Sequence, residues 1–287
     1  MRNTVLMDKI RIEGLHIYAY TGVFDFEKEN GQNFYIDATL ELDTYKAGHL
    51  DNLDETVSYA DVAELIVRVF TAQKYDLIEG AAEAIAEAIL TKYFSVVSVE
   101  IEIKKPEAPI ELDFKTVAVN ITRKWHKVYL SFGSNMGDKQ GYIDKAIGLL
   151  KADNLIRVGR ISSIIKTAPY GGVEQDDFLN GALEMDTLLP PTELLDVLHS
   201  VEAECERERK QHWGPRTLDL DILLYDDLIM NTEKLTIPHV DMANRQFVLD
   251  PMFEIAPNVI VPSEGVSIAV LKRHLDAASK AATNSVG

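Results

Sequence analysis

The chain has 287 residues, a formal net charge of −17, 46% hydrophobic and 26% charged residues. This length and composition support two ordinary domains with real cores and exclude a disordered or fibrous chain, and so acidic a surface repels phosphate backbones and excludes general nucleic-acid binding. The one cysteine, Cys205, permits no intrachain disulfide, no apolar run reaches membrane-spanning length, and Met1 to Met7 lack a signal-peptide pattern, so a cytoplasmic protein without a membrane partner is expected.

Residues 8–18 alternate in part, through Ile10 and Ile12 and, after Gly14, Ile17. Residues 33–43 alternate strictly: Phe34, Ile36, Ala38, Leu40 and Leu42 share one face, and Tyr35, Asp37, Thr39, Glu41 and Asp43 the other, which predicts a half-buried strand. The period turns helical at Val62, Leu65, Ile66, Val69 and Phe70, with Ser58 and Asp61 as a capping pair. A second helix follows, with Ala82, Ile85, Ile89, Leu90 and Tyr93 on one side and Glu79 just before it. Val97, Val99, Ile101 and Ile103 then alternate with Ser98, Glu100, Glu102 and Lys104, and a last strand runs near 116–122. The order ββααββ makes one α+β domain over residues 1–124.

No flexible linker follows, because residues 127–132 already read as a strand. Next come a helix (138–151), strands at 156–165 and 179–187, a helix (192–209) and a strand (218–225). This βαββαβ order predicts a ferredoxin-like second domain over residues 125–287. The stretch to about residue 275 reads as loops and short helices, and the small, polar tail after Leu275 is expected to fray. Gly133-Ser134-Asn135 reads as a turn after the first strand, and lacks the Gly-Lys-Ser/Thr ending of a Walker A loop.

The densest chemistry lies in Trp213-Gly-Pro-Arg-Thr-Leu-Asp219-Leu-Asp221. Residues two apart on a strand share a face, so Asp219 and Asp221 project together while Leu218, Leu220 and Ile222 enter the core. Two adjacent carboxylates suit Mg²⁺ beside a phosphate site, although alone they read more readily as a solvated acidic face. Arg207, Arg209, Lys210 and Arg216 form a basic island just before them, fit either to clamp phosphates or to pair with neighbouring glutamates. His239 and Arg245 add two phosphate-capable donors. In the first domain the chemical candidates are Glu27, Tyr59, Glu79 and Lys105. A lysine at a strand end is usually solvated, and Glu79 can simply favour a helix dipole, so the residues alone give no activity there.

Longer motifs carry two resemblances. Leu-Ser-Phe-Gly-Ser-Asn, Asp-Phe-Leu-Asn180, Arg207-x-Arg209, Trp213-Gly-Pro-Arg-Thr-Leu-Asp-Leu-Asp221 and Pro-His239-x-Asp-Met-x-Asn-Arg245-x-Phe247 closely resemble hydroxymethyl-dihydropterin pyrophosphokinases over residues 128–257. That resemblance implies two Mg²⁺ ions on Asp219 and Asp221 bridged by ATP, and a pterin stacked between Phe178 and Phe247 with Asn180 on its edge. It also implies phosphate clamps at Arg207, Arg209, Arg216, His239 and Arg245, a nucleotide-side Glu202, and a lid residue at Trp213. Tyr18-x-Tyr-Thr-Gly22 with Glu27, Gly31-Gln32, Thr56-Val-Ser-Tyr59, Leu77-Ile-Glu79 and Lys105-Pro-Glu-Ala-Pro109 resemble dihydroneopterin aldolases of the tunnelling fold over residues 8–123. Thr21 stands where many relatives have His, and Ile110-Glu111-Leu112 replaces a common Ile-Pro-Gly. The second resemblance implies that Glu79 grips the pterin, and that Lys105, Tyr59 and a water move protons in a retro-aldol cleavage, supported by Glu27. It further implies no cofactor in this domain and a homo-oligomer, tetramer or octamer, with Tyr59 supplied by a neighbouring chain.

Overall fold

In the computed structural model, which describes residues 7–168, 176–206 and 217–284, the chain divides into two units, Met1–Trp125 and His126–Gly287. The first runs β1 (Asp8–Ala19), α1 (Asp25–Asn30), β2 (Gln32–Leu42), α2 (Tyr45–Leu50), α3 (Tyr59–Thr71), α4 (Ile78–Lys92), β3 (Ser98–Lys105) and β4 (Val117–Lys124). Its strands form one antiparallel sheet in sequence order. The alternation in β2 works as the pattern requires: Phe34, Ile36, Leu40 and Leu42 are fully buried, and Phe34 meets Phe70 of α3 edge to face at 5.1 Å. Ser58 Oγ accepts from the Asp61 N–H at 3.3 Å and starts α3.

The second unit runs β5 (His126–Ser134), α5 (Lys139–Ala152), β6 (Ile156–Ile161), β7 (Ile165–Thr167), β8 (Phe178–Thr187), α6 (Pro191–Glu204) and β9 (Asp219–Tyr225). After β9 come the short hairpin β10 (Met230–Asn231) with β11 (Thr236–Ile237), then α7 (Gln246–Ile255), the hairpin β12 (Ile260–Val261) with β13 (Val266–Ser267), and α8 (Ile268–Asn284). The main sheet has the order β6-β8-β5-β9, antiparallel throughout, with β7 paired to β8. This is the ferredoxin-like arrangement expected from βαββαβ. Val128, Leu130, Leu183, Leu220 and Ile222 pack with α5 and α6, while Tyr129, Ala182, Leu223 and Leu224 pack with α7 and α8.

Several local expectations need correction. The strand expected over 156–165 is two strands, because Ser162 turns inward and its Oγ accepts from the Ala182 N–H at 2.9 Å. Ser163 next to it donates from N and Oγ to Glu254 of α7 at 3.0 Å. Of the tail expected to fray, residues 276–284 belong to a 17-residue helix. Ile268 and Leu271 bury one side of it against α7, and its alanine-rich end has high helix propensity. Val97 lies outside β3 and is 38% exposed, whereas Ser98 is buried. Glu79 sits in the first turn of α4 rather than ahead of it. Gly133 and Ser134 belong to β5 and not to a turn. The helix expected over 192–209 ends at Glu204, with Cys205 as a buried C-cap, and residues 207–209 lie outside the described residues.

Candidate active sites

The first unit gathers a buried charge pair where β3 ends. Lys105 is the last residue of β3, and its Nζ lies 2.5 Å from Glu27 Oε1 in α1. The side chains are 12% and 2% exposed. Glu27 also accepts from Gln32 Nε2 at 3.0 Å and, through Oε2, from the Phe24 N–H at 3.1 Å. Burial pushes the Glu27 carboxyl up, but the bonds from Lys105, Gln32 and the Phe24 N–H outweigh it and hold the group below the usual carboxylate range. Glu27 is therefore a fixed anion that orients the lysine ammonium. Thr21 Oγ1 and Gln32 Oε1 are buried beside this cluster with no hydrogen-bond partner among the described residues, a mark of places that ordered water or a ligand completes.

Gly22 makes the pair possible. A Cβ there would lie 2.3 to 2.5 Å from the Glu27 carboxyl atoms. Gly22→Ala is thus expected to push Glu27 off Lys105 and to lower turnover at this site by roughly 10²-fold, the scale of a displaced catalytic group. The check is a rate assay of each unit's reaction, with the second unit unchanged.

The start of α4 is tied to the same cluster. The Gly22 N–H donates to Tyr75 O at 2.9 Å, Lys28 pairs with Asp76, and Lys74 Nζ donates to Lys28 O at 2.7 Å. These bonds fix the segment that leads into Glu79. Glu79 itself is solvent-facing, and Tyr59, the first residue of α3, is 69% exposed. Among the described residues neither side chain makes a hydrogen bond or ion pair, and no contact joins Tyr59 to Lys105. Gln32 and Gly22 had appeared only as motif letters; their buried contacts to Glu27 depend on folding together segments that a linear reading leaves apart.

In the second unit, strand register builds the site. Gly133 of β5 pairs with Asn180 of β8 on one side and with Asp219 of β9 on the other. In the next row on the same face, Ser131 lies between Ala182 and Asp221. Small residues thus floor a groove with the amide of Asn180 on one bank and two half-buried carboxylates on the other. A Cβ at Gly133 would come within 2.7 Å of Asn180 Oδ1. Asn180 Nδ2 donates to Thr167 Oγ1 at 2.7 Å, which orients the amide. Phe178, two residues before Asn180, shares its face.

The segment after β9 carries further candidates. The His239 N–H donates to Leu223 O of β9 at 3.0 Å, and His239 Nδ1 accepts from the Asp241 N–H at 3.2 Å. Arg245, the N-cap of α7, reaches Asp241 Oδ2 at 2.9 Å and lies 5.8 Å from the Phe247 ring centroid. Glu202 is buried, and its Oε1 accepts from the Leu220 N–H at 2.8 Å. Arg207, Arg209, Trp213 and Arg216 lie outside the described residues. The described residues contain no cluster of three or more His, Cys, Asp or Glu side chains arranged to hold a metal. The Asp219/Asp221 donor set nevertheless fits Mg²⁺, which takes one or two carboxylates and leaves its other positions to waters and substrate phosphates.

Fold and sites together define an enzyme of two α+β domains, with a buried Lys105–Glu27 pair in the first and a carboxylate-edged groove in the second. The dihydroneopterin aldolase family model matches residues 10–122, and the 7,8-dihydro-6-hydroxymethylpterin-pyrophosphokinase model matches residues 129–257. A 2-amino-4-hydroxy-6-hydroxymethyldihydropteridine pyrophosphokinase of Methylorubrum extorquens is 42% identical over 146 residues, covering 51% of this chain and 92% of that protein. Folic acid synthesis protein FOL1 of Dictyostelium discoideum is 31% identical over 94% of this chain and 45% of its own length. Bifunctional protein FolKE of Lactococcus lactis is 54% identical over 44% of this chain and 36% of its own length. The chain thus spans less than half the length of the last two relatives. The chain belongs to the 2-amino-4-hydroxy-6-hydroxymethyldihydropteridine pyrophosphokinase family, and it carries a dihydroneopterin aldolase domain ahead of the pyrophosphokinase domain. No described helix is long and apolar enough to cross a membrane.

Proposed function

We propose that the chain catalyses two consecutive steps of folate synthesis in the cytoplasm, with pterins and ATP as its partners and no nucleic acid or membrane. The first domain cleaves 7,8-dihydroneopterin. A side-chain hydroxyl loses its proton, the adjacent carbon–carbon bond breaks to release glycolaldehyde, and the electron pair enters the pterin ring. A proton then returns to the carbon left on the ring, giving 6-hydroxymethyl-7,8-dihydropterin. Lys105 and Tyr59 move these protons with a water, Glu27 holds Lys105 in place, and Glu79 grips the ring. No cofactor is needed there.

In the second domain the hydroxymethyl oxygen attacks the β-phosphorus of ATP, and AMP leaves. The observation that supports this reading is the row Asn180–Gly133–Asp219, which sets a side-chain amide and one of the two neighbouring carboxylates on one face. Asn180, Phe178 and Phe247 hold the pterin, and Arg207, Arg209, Arg216, His239 and Arg245 hold the phosphates. Trp213 belongs to the nucleotide side. Asp219 and Asp221 would hold two Mg²⁺ ions, whose charge neutralises the phosphates during transfer.

A homo-oligomer, tetramer or octamer, is proposed to complete the first site. Supporting it, Tyr45, Tyr59, Leu77, Phe24 and Phe26 are each more than half exposed, apolar side chains that a neighbouring copy would cover. The test of the whole proposal supplies dihydroneopterin, ATP and Mg²⁺ and follows AMP. AMP is expected only after cleavage. If it fails to appear even with hydroxymethyl-dihydropterin supplied, the pyrophosphokinase assignment is wrong.

A further inference from the structure

We infer that Glu202 is a positioning residue for the Asp219/Asp221 pair, acting through the backbone between them and not by touching nucleotide; this rests on the pyrophosphokinase reading above. Among the described residues β9 is an edge strand, paired only with β5. Alternate residues of an edge strand turn their N–H groups away from the sheet. Leu220, the residue between the two aspartates, is one of these, and its N–H is taken up by Glu202 Oε1 at 2.8 Å.

The placement of Glu202 needs a reason. The residue is 2% exposed, in the last turn of α6. A carboxylate there faces the negative end of the helix dipole and bears the cost of burial. Its charge also lies near a strand that carries two further carboxylates, Asp219 and Asp221. What the arrangement gives in return is geometric. The Leu220 peptide is fixed on the open side by α6 and, through its neighbours, to β5 on the other. With the peptide plane fixed, the directions of Asp219 and Asp221 are fixed too, and the pair meets a cation already aimed. Leu194, Leu198 and Val201 bury α6 against the sheet, so the brace stands on a rigid element.

The test uses the full chain and a non-hydrolysable ATP analogue, titrated once with Mg²⁺ and once with EDTA. Glu202→Asp keeps the charge but is too short to reach the Leu220 N–H. It is expected to weaken binding in Mg²⁺ by about tenfold, the effect of one lost buried hydrogen bond, and to match the wild type in EDTA. Glu202→Gln keeps the acceptor and is expected to bind as the wild type does in both. Equal losses with and without Mg²⁺ in both variants would mean that the carboxylate touches the nucleotide, and no loss in Glu202→Asp would mean that it positions nothing; either overturns the inference. If Glu202→Asp fails to melt cooperatively, Glu202→Gln decides alone, since loss of its Mg²⁺ dependence is equally contrary. A wild type whose binding ignores Mg²⁺ would instead remove the pyrophosphokinase reading beneath it.

Discussion

Asp221→Ala is expected to lower pyrophosphoryl transfer by roughly 10²–10³-fold, the range seen when one preorganised electrostatic contact to a reacting group is lost, while dihydroneopterin cleavage continues at the wild-type rate. Asp221 is half-buried on the groove face of β9, and the strand's hold on the core comes from Leu220, Ile222, Leu223 and Leu224, all 4% exposed or less. The substitution therefore removes a charge without opening a cavity. The measurement is AMP and glycolaldehyde release from one preparation. Loss of both products would mean misfolding or a wrong assignment, and retained AMP would remove Asp221 from the site.

Lys105→Ala is expected to lower retro-aldol cleavage by roughly 10²–10⁴-fold, the usual contribution of a positioned proton-transfer group, with pyrophosphoryl transfer to supplied hydroxymethyl-dihydropterin unchanged. It should also destabilise the first domain by about 3–5 kcal/mol, because a carboxylate at 2% exposure loses its cation. The pH dependence separates this from simple loss of packing. In the wild type the Glu27 carboxyl sits below its ordinary range, so its stabilising contribution is present above the unfolded pKa of about 4.3 and is lost as pH falls through the folded value. In the variant, burial is opposed only by the bonds from Gln32 and the Phe24 N–H, so the carboxyl moves up from its wild-type position. The stability gap between wild type and variant should therefore be widest near neutrality and narrow on acidification, read from denaturant unfolding at several pH values. Adding Glu27→Gln to Lys105→Ala should recover part of the loss at neutral pH.

Much of the fold was legible because period and chemistry agree along the chain. β2 alternates without a break, and α3 carries both a cap and a helical stripe. The sequence misled where a side chain made an unusual bond. Ser162 looks like any strand residue, yet its inward hydroxyl splits the strand. The tail of α8 looks polar and loose because only one of its sides is needed for packing. At the sites, motif letters supplied the chemical groups but not their mutual placement. Gly133 reads as a turn until register sets it between Asn180 and Asp219, and the bond from the Leu220 N–H to Glu202, given only a nucleotide-side place by resemblance, depends on packing α6 beside β9.

The row through Gly133 also acts as a gauge. Asn180 and Asp219 are separated by two inter-strand steps, about 10 Å at the usual strand spacing, and a hydrogen-bonded ladder does not stretch. On the proposed reading, a pterin anchored at the Asn180 bank would present its side chain to the phosphates at one fixed reach. The oxygen on the first side-chain carbon would sit at that reach in both pterins, but the two further carbons of uncut dihydroneopterin would have to occupy the space the phosphates need. The sheet spacing would then enforce the sequence of events, so that trimming by the first domain precedes charging by the second without any switch between them.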